Sequence, residues 1–268
     1  MRPPRARVLM YHGVDRVSAR RDPYGMFVTP AAFRAQMEHL LERGFVPVSE
    51  DAYLAALRGA PLPRKAVLLT FDDGYLGVGE HAVPVLRELG LPSVLYVPAA
   101  RVGGTSDWLE PRHRHPLMDG ADLRAVAATG MSVGAHASDH RDLRGLSTGE
   151  LETQTGAARR HLEEVVGRPV RSFAFPYGHH DARARDAVRA AGFEAGFGIW
   201  DVADELAIGR VDVNATDTLR TFGVKLRRMY PALRRATDRA PGLRRRAHDL
   251  LGRATRETPD GRGLEVGS

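Results

Sequence analysis

Apolar residues gather in five short runs: Val8 to Tyr11, Ala66 to Phe71, Ser93 to Val97, Met131 to Ala135 and Ser172 to Phe175. Runs of this kind predict strands buried on both faces, as in a parallel sheet. Between them the pattern becomes helical, over Pro30 to Arg43 after the cap residue Thr29, then Glu80 to Leu89, Ala121 to Ala128, Thr148 to Val166 and Ala182 to Ala190. A glycine stands near each helix end, Gly44, Gly90, Gly130, Gly167 and Gly192, where a left-handed residue stops a helix. Strand and helix alternating at this spacing predict an α/β fold with a largely parallel sheet, open or closed into a barrel. Either form carries its site on the loops after the strands, and there the polar clusters fall. The long connection Arg101 to Pro116, with Trp108 and two histidines, is of a length more often functional than idle.

At 268 residues and 43% hydrophobic content, one α/β domain is the economical expectation. The chain has no cysteine, so any metal must be held by His, Asp or Glu. Met1 to Arg7 is basic and runs into too short an apolar stretch for a secretory signal, and no window reaches the length of a membrane span. The expectation is a soluble, cytoplasmic protein. The net charge of +6 is unevenly placed: Leu219 to Arg256 holds twelve Lys or Arg against Asp238 and Asp249. No nucleic-acid-binding motif accompanies that basicity, so no nucleic-acid partner is expected. Leu226, Met229, Leu233, Leu243 and Leu250 are spaced partly as on a helix, which suggests peripheral contact with anionic lipid or packing on the body. The chain from Glu257 onward reads as disordered.

Three clusters carry candidate chemistry. Thr70-Phe71-Asp72-Asp73-Gly74-Tyr75 sets two carboxylates at the end of an apolar strand. Neighbours on a strand point to opposite sides, so one can hold a cation while the other takes a proton; an ordinary Asp-Gly turn would look the same. Gly134 to His140 presents His136 and His140 four apart, which meet on one face if the chain takes a helical turn, or else are two solvated loop histidines. With Asp73 they complete a two-His, one-carboxylate set with open positions, as at catalytic zinc or non-haem iron. Phe173 to Gly178 ends a strand in the rigid turn Pro176-Tyr177, which could aim the Tyr177 N–H at an oxyanion and offer its ring to a sugar.

In this order and spacing the three clusters resemble those of the polysaccharide deacetylases, the fourth carbohydrate esterase family or NodB-homology proteins, over about Val8 to Val213. The resemblance implies a distorted (β/α) barrel of about seven parallel strands over residues 1–218, followed by a basic, helical extension over 219–256 and a tail over 257–268. It makes Asp73, His136 and His140 ligands of one divalent ion, zinc or else cobalt. Asp72 becomes the general base and the Tyr177 amide an oxyanion donor, with Trp108, Pro176, Tyr177 and Arg210 as substrate contacts. The implied reaction is hydrolysis of the N-acetyl group of a sugar or glycan.

Two departures accompany it. Where many members carry an Arg that steadies the base, this chain has Ala174, and Arg210 is the candidate substitute. The family's late Leu-x-x-His, source of the usual acid, has no match in the C-terminal half. Leu9-Met10-Tyr11-His12 stands instead at the start of the chain. This resembles the circularly permuted branch that acts on exported poly-N-acetylglucosamine, and it makes His12 the acid, with His179 and His180 in reserve. Competing readings are a metal-dependent amidase acting on a non-sugar C–N bond and a non-catalytic carbohydrate-binding relative.

Overall fold

A computed structural model describes residues 4–199, 204–227 and 229–230. The chain opens with β1 (Arg7–Tyr11), β2 (Gly13–Val14) and β3 (Phe27–Val28), then α1 (Pro30–Glu42), β4 (Val46–Pro47), α2 (Glu50–Leu57) and β5 (Ala66–Phe71). A wide π-helical turn, Val78–Ala82, leads into α3 (Val83–Glu88), followed by β6 (Val94–Val97), α4 (Gly120–Ala128) and β7 (Ser132–Ala135). Next come α5 (Thr148–Glu152), a second π-helical turn (Thr153–Ala157) and α6 (Ala158–Val166). The fold ends with β8 (Ser172–Ala174), α7 (Ala182–Ala190), β9 (Ala195–Phe197), β10 (Val211–Asp212) and α8 (Leu219–Lys225).

The main sheet runs β10-β1-β5-β6-β7-β8-β9 with every pair parallel, and β4 attaches to β5. A parallel bridge between Phe197 and Ile208, just ahead of β10, brings the two edges together. The sheet is therefore the distorted (β/α) barrel of about seven parallel strands that the sequence implies. Each of the five anticipated runs forms a strand. β9 and β10 escape a periodicity reading, being two or three residues long.

The helix boundaries follow local chemistry. Thr29 accepts from the Ala32 N–H at the start of α1, and Ser49 does the same for Ala52 in α2. Gly44, Gly90, Gly130, Gly167 and Gly192 all take positive φ, so the five stop signals act as anticipated. The expected single helix Thr148 to Val166 is interrupted by the π-helical turn Thr153–Ala157, which turns Gln154 inward.

The compact unit runs to Leu226, past the boundary at 218 suggested by the sequence. The reason is local: Phe222 is fully buried, Arg7 Nε donates to the Leu226 carbonyl at 3.0 Å, and Lys225 Nζ donates to Asp217 at 2.7 Å. Residue 228, the basic extension beyond Tyr230 and the 257–268 tail lie outside the described residues. Among the described residues, no helix is long and apolar enough to cross a membrane.

Register carries the site. β1 pairs with β5 as Tyr11 with Phe71, and the Asp72 N–H donates to the Tyr11 carbonyl at 2.9 Å. His12 thus leaves the barrel beside Asp72. Val97 pairs with Ala135 and Ala135 with Phe173, so the histidine and Pro-Tyr clusters emerge at the same rim. First and last strands are neighbours, β10 against β1, which is the geometry a permuted order needs.

Inside the barrel the fit is close. A Cβ on Gly134 would stand 2.4 Å from Tyr96 Cε1 and 3.0 Å from the Ser172 carbonyl oxygen. Both strands are fixed by their ladders, so Gly134→Ala should overpack the core and cost roughly 1–3 kcal/mol. Thermal unfolding checks this: a clear drop in midpoint is expected, and an unchanged midpoint would show that Tyr96 has room to move.

Candidate active site

Asp72 and Asp73 follow directly from β5, both almost completely buried. Their side chains part, and each meets a different partner. Arg210 closes on Asp72 through two parallel hydrogen bonds, Nη1 to Oδ1 at 2.6 Å and Nη2 to Oδ2 at 2.7 Å. The guanidinium is itself buried, with Nε donating to the Gly198 carbonyl at 3.2 Å and its carbon 5.6 Å from the Tyr96 ring centroid. Burial opposes charge on Asp72, but Arg210, followed by His136, holds its carboxyl below the usual carboxylate range.

Asp73 turns the other way because its backbone is left-handed, with φ 73°. Its Oδ1 lies 3.4 Å from His136 Nε2 and 3.2 Å from His140 Nε2. The ligand atoms of these three buried residues all lie within 4.8 Å of one another. His136 Nδ1 donates to the Ala174 carbonyl at 2.7 Å, which leaves the Nε2 lone pair of the neutral ring facing Asp73. Asp73 Oδ1 is buried without a hydrogen bond, and the three ligand atoms converge on one point. A divalent cation satisfies that arrangement, and the donor set suits one. The two rings differ electrostatically. At His136 burial is outweighed by Asp72 and Asp73, which raise its pKa; at His140, whose Nδ1 is buried without a partner, burial prevails and lowers it.

The two histidines do not meet through a helical turn, as their spacing had suggested. Ala137 and His140 take positive φ of 61° and 64°, and the segment is pinned to its surroundings instead. Ala99 and Ala100 donate to the Ala137 and Ser138 carbonyls, while Gln154 Oε1 accepts from the Ser138 and Asp139 N–H groups. The rings end 4.9 Å apart at 72°. Tyr177, φ 58°, is the remaining non-glycine residue with positive φ among the described residues. Each such residue costs on the order of 1–3 kcal/mol, and all four lie at this one site.

His12, Asp72, Asp73, His136, His140, Trp108 and Tyr177 line one cavity of about 350 Å³. Trp108 stacks on His140 with centroids 4.1 Å apart, and the Tyr177 ring meets the same imidazole edge-on at 4.8 Å. Two expected substrate contacts do not line this cavity. Arg210 is completely buried behind Asp72 and does not line the cavity, because its charge is taken up by that carboxylate. Pro176 is buried in the turn that shapes Tyr177. His179 pairs with Asp142 at 3.0 Å, His180 packs on Phe175, and neither lines the cavity. Tyr24, Met26, Leu109, Gly178 and Ile199 complete the wall, and the sequence reading missed them. For Tyr24 a signal was present, an aromatic residue in the turn Asp-Pro-Tyr-Gly.

The polysaccharide deacetylase family model matches residues 59–196. Among curated proteins, the chain is 24% identical over 196 residues to YxkH of Bacillus subtilis (strain 168), a protein named as a polysaccharide deacetylase; the match covers 73% of this chain and 64% of that one. It is 40% identical over 87 residues to the poly-β-1,6-N-acetyl-D-glucosamine N-deacetylase of Escherichia coli (strain K12), covering 32% of this chain and 13% of that one. The chain thus spans less than two thirds of each relative's length. The deacetylase PplD of Streptococcus pyogenes, solved with acetate, superposes with a TM-score of 0.73 at 19% identity, over 84% of this chain and 99% of that one, and shares the fold.

The clamp on Asp72 has a measurable consequence. Arg210→Met would leave a buried carboxylate unpaired, a change worth roughly 3–5 kcal/mol of stability. Urea unfolding should show that loss, and Asp72→Asn in the same chain should recover part of it. Full stability of the single variant would mean that the ion pair does not hold the barrel rim together.

Proposed function

Since the chain belongs to the polysaccharide deacetylase family, we propose that it hydrolyses the N-acetyl group of an N-acetylated sugar in a glycan, releasing acetate and a free amine. The observation that carries the reading is the division of labour between adjacent aspartates: Asp73 joins His136 and His140 as a ligand set, and Asp72 stands apart on Arg210. Asp73, His136 and His140 would hold one divalent ion, zinc in the first instance. Such an ion, when bound, supplies a Lewis acid that polarises a carbonyl oxygen and makes water more acidic.

The remaining steps belong to the chain. Asp72, ionised and fixed in plane by Arg210, takes a proton from the attacking water as its oxygen adds to the acetamide carbonyl. The Tyr177 backbone N–H stabilises the oxyanion of the tetrahedral intermediate. His12, beside Asp72 through the β1–β5 register, gives a proton to the departing nitrogen as the C–N bond breaks. Trp108 and the Tyr177 ring present apolar faces to the sugar while packing His140 into place.

Asp72→Asn should retain one equivalent of zinc while kcat falls by about 10²- to 10⁴-fold, whereas His136→Ala should lose the metal. Metal analysis alongside acetate release on N-acetylglucosamine oligomers reads both. Loss of zinc in Asp72→Asn would make that residue a ligand and end the proposed division.

His12→Ala should keep metal and substrate binding but slow amide hydrolysis far more than hydrolysis of an acetate ester with a good leaving group, which departs without protonation. Pre-steady-state kinetics must first show that C–N cleavage limits turnover. An equal effect on amide and ester would remove His12 from the acid role.

A further inference from the structure

Arg210 orients Asp72, and what orients Arg210 lies deeper in the barrel. The edges of the guanidinium are engaged by Asp72, by Thr70 Oγ1 at 3.3 Å and by the Gly198 carbonyl at 3.2 Å. Those bonds run in the plane of the group, so its tilt is set by what covers its faces. One face meets the ring of Tyr96, 5.6 Å from guanidinium carbon to ring centroid, with both residues buried.

Tyr96 is held at its other end. Register pairs Tyr96 of β6 with Gly134 of β7, and a Cβ on that glycine would stand 2.4 Å from Tyr96 Cε1, so the ring crosses β7 where a side chain is missing. Beyond it the Tyr96 hydroxyl lies 3.0 Å from Ser172 Oγ on β8. The Ser172 hydroxyl donates to Glu50 Oε1, which leaves its oxygen to accept from the tyrosine. Glu50, only 5% exposed, is the first residue of α2, where the positive end of the helix dipole favours a carboxylate. Ser172 opens β8, whereas Asp72 follows the last residue of β5, and in a parallel sheet these are opposite ends of the barrel. A line of buried groups, Glu50, Ser172, Tyr96, Arg210 and Asp72, therefore joins α2 to the active-site rim.

Resting on the deacetylase reading above, we infer that Tyr96 is a positioning residue for the reaction: anchored at its hydroxyl by Glu50 through Ser172, its ring fixes the tilt of Arg210 and so the direction in which Asp72 meets the attacking water. Without the anchor the ion pair persists, since Arg210 and Asp72 keep their own bonds, but the pair can rock as a unit. Proton transfer depends steeply on the placement of the base, so the loss falls on the chemical step and spares metal and substrate binding.

The test measures kcat, KM, zinc content and thermal midpoint on N-acetylglucosamine oligomers for Tyr96→Phe, Ser172→Ala and Glu50→Leu, and for the latter two combined with Tyr96→Phe. Tyr96→Phe keeps the ring and removes one buried hydrogen bond, so kcat should fall about two- to tenfold with KM and zinc unchanged. Ser172→Ala and Glu50→Leu should each lower kcat in the same way and add nothing to the loss in the Tyr96→Phe background, because they act through the hydroxyl already removed. A lowered midpoint with wild-type kcat in all three single variants would show a structural role alone and overturn the proposal, as would additive losses of kcat. A readout that needs no turnover is the 15N spectrum of the Arg210 guanidinium, assigned through its Overhauser contacts to the Tyr96 ring. Its Nη–H signals should be resolved in the wild type and broadened in Tyr96→Phe. Broadening in a protein that releases no acetate would uphold the positioning and remove the deacetylase reading; unchanged signals would overturn the positioning whether or not acetate is released.

Discussion

Two chemically identical side chains stand next to each other at the end of β5, and the buried pairing of Arg210 with Asp72 makes them different. The bidentate contact, at 2.6 and 2.7 Å, commits Asp72 to one direction and favours its ionised form. Asp73, released by its left-handed backbone, is free to face His136 and His140. Without Arg210, two adjacent buried carboxylates would repel each other and compete for the same cation, and neither role would be secure. The barrel exists around this requirement: Arg210 reaches Asp72 because the chain just ahead of β10 closes the sheet against β9, while β10 itself lies beside β1.

The same rim concentrates the strain. Asp73, Ala137, His140 and Tyr177 adopt conformations that side-chain-bearing residues avoid, and the surroundings hold them there: the Gln154 amide under the His136–His140 turn, Pro176 before Tyr177, and Trp108 stacked on His140. An arrangement fixed by that many contacts arrives at the reaction already organised. It also explains why a π-helical turn persists between α5 and α6, since it is the segment that carries Gln154.

Much of this was legible from residue order. The apolar runs named five strands, and the positive-φ glycines named the helix stops. The clusters around Asp72, His136 and Tyr177 named the site, because strand ends and short-range spacing are local properties. What escaped was non-local. The spacing of His136 and His140 suggested a helical turn, yet the approach depends on Gln154, Ala99 and Ala100 from elsewhere in the chain. Arg210 was recognised as a possible partner of Asp72, but only the closed barrel shows that the pairing leaves it no exposed surface. Tyr24 belongs to a loop whose order rests on the burial of Asp22, which no spacing rule conveys.

The account turns on which aspartate meets the ion, and anomalous diffraction from zinc-loaded crystals decides it. One anomalous peak is expected, within ligand distance, about 2.0–2.2 Å, of an Asp73 carboxylate oxygen, His136 Nε2 and His140 Nε2, with Asp72 still bidentate on Arg210. A peak coordinated by Asp72, with Arg210 turned away from it, would contradict the division of roles on which the fold and the chemistry have been joined.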